Sequence, residues 1–282
     1  MDEYEKSKWK RRAAWTIALF FAVFYLVVSL LPFLFMVMNS CKEQFEMLVK
    51  GIFELPDSLY LGNYKTVLEG NFVRYFGNSL LVLAVSIGVL LFITSCAAYP
   101  LARFRIRLCG PVYAAIVAAM SIPIHITLIP VFKLTMQMKL YDSIWALIGP
   151  YVAFGIPISV FILTGFMREI SPEIEDAAQI DGCGRYRMFF HIMLPLAKPG
   201  LSTLAIYNGV HMWNEFSFAY TLTQSAVNRT LPLAVWDFKG QYSMNTPMIL
   251  AVLTLTALPM VLMFLFAQDA LVKGMTAGAV KG

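Results

Sequence analysis

The chain has 282 residues, of which 59% are hydrophobic and 14% charged, whereas roughly a quarter of a soluble domain is charged. It belongs in a bilayer, and a formal charge of +5 is what a membrane protein gathers by keeping Lys and Arg in its cytoplasmic loops, not a sign of nucleic-acid binding. The cysteines, Cys41, Cys96, Cys109 and Cys183, form no CxxC pair, so no disulfide framework is expected.

Residues 1–12 hold Lys6, Lys8, Lys10, Arg11 and Arg12, and no charge then occurs from Ala13 to Met38. That stretch exceeds the roughly 20 residues that cross a hydrocarbon core, so 13–38 is predicted to be a span, tilted or kinked at Pro32. A cleaved signal peptide fits less well, because its apolar region would be about half as long. The N-terminus is expected to stay inside. Residues 40–77 are polar and carry turn residues such as Pro56, Asp57 and Gly62, which predicts an ordered extracytoplasmic segment.

A second span is predicted over 79–100, with Arg103, Arg105 and Arg107 at its cytoplasmic exit. The third, 108–132, contains Pro111, Pro123 and Pro130; a helix broken in this way is tolerated where protein or a water-filled path satisfies the freed carbonyls, so it is expected to face the bundle. An outer loop leads to a fourth span, 143–167.

The loop 168–198 is the most polar long stretch between two apolar blocks. Ser171 can cap a helix with Pro172 at its first position, Glu173, Glu175 and Asp176 suit the positive end of the helix dipole, and Gly182 can close it in a left-handed cap. Ile174, Ala177 and Ala178 fall on one narrow face, whose alanines permit close approach of another surface.

A fifth span is predicted over 199–221 and a sixth over 247–267, with an outer loop between them and residues 268–282 inside. Fourteen of the 22 Lys and Arg residues then lie on the side of the termini, as the positive-inside rule requires. In the fifth span Tyr207, Asn208, His211, Asn214 and Glu215 recur at helical spacing and gather polar groups on one side. An ionisable group such as Glu215 at membrane depth suggests a pathway or a buried pair. Interhelical hydrogen bonding, or a position at the outer interface, is the alternative.

Reactive chemistry is not evident. His125, His191 and His211 lack metal-ligand spacing, no metal site is expected, and without a Gly-Lys dipeptide there is no Walker phosphate loop. Any ATP-derived energy must come from a partner.

The run Glu175-Asp176-Ala177-Ala178, followed by Asp181-Gly182 and Ile192-Met193-Leu194-Pro195, resembles the cytoplasmic EAA loop of permease subunits of binding-protein-dependent ABC importers. Asp176 stands where that family more often has Glu, and Cys183 where it more often has Ala. Asn63-Tyr64, Phe76-Gly77-Asn78-Ser79, Trp213-Asn214-Glu215-Phe216 and the tail from Gly274 to Gly282 are similar to the carbohydrate class, the tail to its maltose-type second permease subunit.

The resemblance implies an all-α membrane protein, a single transmembrane domain over 1–282 with six transmembrane helices of the ABC importer permease type and a cytoplasmic coupling helix. It implies contact with the ATPase through Glu175, Asp176, Ala177, Ala178, Asp181 and Gly182, and through the tail residues Gly274, Ala277, Gly278 and Lys281. Tyr207, Asn208, His211, Asn214 and Glu215 would line the translocation path, and Trp236, Phe238 and Tyr242 would meet the binding protein. The expected partners are a second homologous permease, two ATPase subunits holding ATP and Mg, an extracytoplasmic solute-binding protein, membrane lipid and a carbohydrate, with no cofactor bound by this chain and no nucleic acid. The expected location is the bacterial cytoplasmic membrane, with both termini inside. The competing class is a secondary transporter or channel driven by an ion gradient, which predicts midplane carboxylates and repeated broken helices; here Glu215 is the one acid in any predicted span and no repeat is visible.

Overall fold

The computed structural model describes residues 3–238 and 245–277, with side chains of 3–7, 10 and 267–277 left aside. The described residues form helices and no strand. In order they are α1 (Glu3–Ser40), α2 (Gln44–Val49), α3 (Gly62–Glu69), α4 (Phe72–Arg103), α5 (Cys109–Ala118), α6 (Leu128–Gln137), α7 (Ile148–Glu169), α8 (Pro172–Ile180), α9 (Arg185–Met188), α10 (Leu194–Leu196), α11 (Lys198–Trp213), α12 (Ser217–Leu222) and α13 (Thr246–Ala277). Four helices are long and apolar enough to cross a membrane, Arg11–Ser40, Phe72–Arg103, Ile144–Glu169 and Thr246–Phe266; two bent pairs raise this to as many as six if each is one span. Tyr242, Gly278 and Lys281 lie outside the described residues, and Gly274 and Ala277 are described as helix backbone only.

The chain divides into two compact units, Met1–Gly70 with Asp237–Leu255, and Asn71–Trp236 with Thr256–Gly282. In the first unit, α1 carries no charge from Ala13 to Met38, and none of its most apolar stretch is buried, as suits a helix that meets lipid. Its C-terminal end is tied down by side-chain amides that bond carbonyls at and around the helix terminus, that of Ser40 among them. Asn63 of α3 donates to the carbonyls of Ser40 (2.9 Å) and Lys42 (2.8 Å), and Asn39 donates to those of Phe35 (2.9 Å) and Ile52 (3.1 Å). Lys42 is fully buried, with its ammonium 3.3 Å from the Gly51 carbonyl. On the surface, Lys50 pairs with Asp57 and Glu46, and its hydrogen bond to Asp57 holds its pKa above the usual lysine value.

The second unit is built on α4 and α7, which run the same way and pack along their length. One core gathers Leu90, Leu147, Tyr151, Phe218 and Leu222 towards the N-terminal part of this pair; the other gathers Ala98, Leu163, Met167, Met193 and Leu204 towards the C-terminal part. Gly155 permits the approach, because a Cβ there would lie 2.8 Å from Leu90 Cδ2 and 3.1 Å from Asn208 Oδ1.

Two predicted spans are interrupted, the third at one of the prolines that announce a broken helix and the fifth where nothing in the sequence announces it. The third is two arms, Cys109–Ser121 and Ile124–Gln137, set 93° apart with Pro123 at the break. The fifth follows a 68° bend between Arg185–Leu196 and Lys198–Trp213. It stops at Trp213, and α12 begins only after Asn214, Glu215 and Phe216.

Candidate functional site

At one end of the second unit, α8 is capped as its sequence dictates. Ser171 Oγ accepts the Glu173 N–H at 3.3 Å, Pro172 occupies the first turn, and Glu173 and Glu175 lie beside the helix N-terminus. At the other end Gly182 N–H meets the Gln179 carbonyl (3.0 Å) and Cys183 N–H meets the Ala178 carbonyl (2.9 Å). This is a Schellman closure, and it needs the φ of +78° that Gly182 adopts.

The helix is rotated relative to the face expected from sequence. Ala178 turns inward and is 9% exposed, packing with Met167, Met188 and Met193. Glu175 also turns inward: its Oε1 lies 2.8 Å from Arg103 Nε, and the two side chains are 14% and 9% exposed. The outward stripe is Glu173, Asp176, Ala177 and Ile180, spaced as neighbours on one helical face, with Ile174 and Asp181 exposed beside it. Of the six residues assigned to contact from sequence, Asp176, Ala177, Asp181 and Gly182 are thus exposed, whereas Glu175 and Ala178 face their own chain.

Farther along, Tyr207, Asn208, His211 and Glu215 line a cavity of about 310 Å³, together with His125, Tyr151, Phe154 and Gly155. His125, just after the Pro123 break, and His211 of α11 meet at this cavity although they are far apart in the chain. The three prolines of the third span were the signal that its residues turn inward. Tyr207 and His211 pack edge to face with ring centroids 4.6 Å apart. Asn208 is 3% exposed and donates to Ser159 Oγ (3.0 Å) and the Leu204 carbonyl (2.9 Å), so it joins α11 to α7 as well as facing the cavity.

Glu215 has a structural occupation. Its carboxylate accepts the Tyr151 hydroxyl (2.9 Å) and the backbone N–H groups of Phe218 (2.8 Å) and Ala219 (3.1 Å). It therefore satisfies the first N–H groups of α12 and fastens that helix to α7. Asn214 is not among the cavity residues; it is exposed and donates back to the Val210 carbonyl at 2.8 Å.

Of the aromatics expected to meet the binding protein, Trp236 stacks on Tyr220 (5.5 Å, 19°), which stacks on Phe216 (5.6 Å, 8°). Phe238 belongs to the first unit and is half-buried. The loop between α6 and α7 is held to the one after α12 by Asp142, whose carboxylate accepts the N–H groups of Gln224 (2.8 Å) and Ser225 (2.9 Å). Partial burial pushes the Asp142 pKa up, but the two N–H groups and the Ser225 and Asn228 side chains outweigh it and hold the carboxyl below its ordinary range. Among the described residues no cluster of His, Cys, Asp and Glu is suited to a metal.

Residues 90–277 match the family described as the binding-protein-dependent transport system inner membrane component. A protein of Caldicellulosiruptor sp. (strain Rt8B.4), named as an ABC transporter permease, is 50% identical over 94% of this chain and 96% of its own length. The arabinooligosaccharides transport system permease of Halalkalibacterium halodurans is 31% identical over 95% of this chain and 97% of its own. In fold, a chain of a bacterial ABC transporter involved in import of the acidic polysaccharide alginate aligns with a TM-score of 0.77 at 20% identity, covering 92% of this chain and 97% of that one.

Proposed function

Because the chain belongs to the family of binding-protein-dependent transport system inner membrane components, we propose that it is one permease subunit of an ATP-driven importer that carries carbohydrate of oligosaccharide size into the cytoplasm. Its partners are a second homologous permease, two ATPase subunits that hold ATP and Mg, and an extracytoplasmic binding protein. This subunit is non-catalytic, and both termini lie in the cytoplasm. The name of the arabinooligosaccharide relative and the Trp213-Asn214-Glu215-Phe216 likeness support the sugar assignment.

The observation that carries this reading is α8: a helix capped by its own sequence, with Asp176, Ala177 and Ile180 exposed, mounted where two long apolar helices end. Closure of the ATPases moves α8 as a lever, and the spans reorient between states open to either side. Tyr207, Asn208, His211 and His125 line the path, and Glu215 holds its wall in place. The contacts of Gly274, Ala277, Gly278 and Lys281 with the ATPase, and of Trp236, Phe238 and Tyr242 with the binding protein, rest on the family resemblance.

Copurification tests the reading. Tagged chain drawn from native membranes should bring a stoichiometric P-loop ATPase and a second permease, and its deletion should abolish uptake of one oligosaccharide class. Uptake that collapses with the ion gradient, by a chain that carries no ATPase with it, would overturn the proposal in favour of an ion-driven carrier.

A further inference from the structure

We propose that Arg103 is the residue through which movement of α8 reaches α4, and that Arg103 and Glu175 form an internal clasp instead of part of the ATPase-facing surface. This rests on the reading of α8 as the coupling helix.

Helices α4 and α7 end on the same side, which brings together two sets of orphan carbonyls and two negative dipole ends. The chain answers with a reciprocal exchange of arginines. Arg103, in the last turn of α4, donates to the carbonyl of Ile170, the C-cap of α7. Arg168, in the last turn of α7, donates to the Leu101 carbonyl of α4 at 3.3 Å. Each helix thus caps the other, at the corner from which α8 departs.

Glu175 enters this corner from α8. The 2.8 Å approach of Arg103 Nε and Glu175 Oε1 lacks hydrogen-bond alignment, so the contact is an ion pair largely removed from water. Separating it would leave an uncompensated charge in a poorly solvated site. Two cation–π contacts brace the corner, Arg168 over the Tyr113 ring (5.2 Å) and, from a third arginine, Arg185 over the Phe104 ring (5.3 Å). Helix α8 therefore cannot tilt without drawing the end of α4 with it. The adjacent acids have opposite assignments: Asp176 is exposed towards a partner, whereas Glu175 is turned into the clasp.

The test uses the assembled importer in lipid nanodiscs, with ATP and its sugar-loaded binding protein. Arg103→Ala and Glu175→Gln should each lose binding-protein stimulation of ATP hydrolysis by roughly tenfold, a size typical of a lost coupling term. Arg103→Ala should retain the hydrolysis seen without binding protein. The exchange Arg103→Glu with Glu175→Arg should recover stimulation above either single reversal. A second readout reports transmission itself. Spin labels at the exposed Ile106 and Gln179, in a cysteine-free background, should hold one separation in the ATP-free and ATP-trapped states of the parent, and change separation in Arg103→Ala. If Arg103→Ala does not reach the membrane, the near-isosteric Glu175→Gln decides. Full stimulation with constant label separation in the variants would overturn the clasp. A parent complex that ignores its binding protein would instead overturn the reading of α8, and the clasp with it.

Discussion

Glu215 shows how far a single residue is legible from sequence. Its depth and helical spacing suggest a path-lining acid, yet three donors of its own chain occupy the carboxylate. Two of those donors lie three and four residues onward in the chain, but no Gly or Pro stands at Asn214-Glu215-Phe216 to announce that the helix breaks there. The third, Tyr151, comes from another helix, which periodicity cannot reveal. Glu215→Ala would leave a buried hydroxyl and two α12 N–H groups short of a partner, a loss of about 1–3 kcal/mol for each group left unsatisfied. The expected outcome is a lowered melting temperature of the purified complex, whereas His211→Ala should change uptake with little shift in melting. Gly182 was the opposite case, because a left-handed cap is a local property and the sequence alone announces it. Gly182→Val forces a β-branched side chain into positive φ at a cost of about 1–2 kcal/mol or more. It should leave membrane levels near normal but lose binding-protein-stimulated hydrolysis, as should Asp176→Lys through charge reversal at the contact. Wild-type stimulation in both would remove α8 from the coupling role.

At the scale of elements, the caps of α8 were readable because they involve neighbours in sequence, and its rotation was not, because Arg103 on a distant helix sets it. The same holds for α11. Its polar side was visible as spacing, but the division of labour along that side depends on Ser159 and on the broken third span. A cysteine at His211, exposed and at the cavity, should react with a water-soluble thiol reagent in one conformational state and be shielded in the other. One at Asn208, 3% exposed and bonded to Ser159 in the parent, should react in the same state but more slowly. Equal labelling at the two positions would mean that the helix packs differently from the structure described. The contact between the loop after α6 and the loop after α12 has its own pH signature. The Asp142 carboxyl titrates lower folded than unfolded, so its contribution to stability is present above the ordinary carboxylate range and is lost as pH falls through the depressed folded value. Proteolysis within 222–230 should therefore accelerate in strong acid, and Asp142→Asn should show that acceleration already at neutral pH.

Across the whole molecule, hydropathy pointed to long apolar helices, and four of suitable length and composition occur among the described residues, since their apolarity follows from the bilayer as a solvent. The prolines of the third span announce its break but not its 93° angle, and nothing in the fifth announces the interruption at 214–216. The contrast between α1 and α7 has a consequence for how tightly the sequence is written. In the most apolar part of Ile144–Glu169, half of the positions are buried inside the chain; in that of Arg11–Ser40, none are. Shuffling residues 16–31 while keeping their composition should leave membrane level and uptake near those of the parent, whereas an equally long shuffle inside α7 should abolish both. Under drift, then, α1 is held to an average over its letters and α7 to their order, so the two helices should record ancestry at different rates although both are equally necessary.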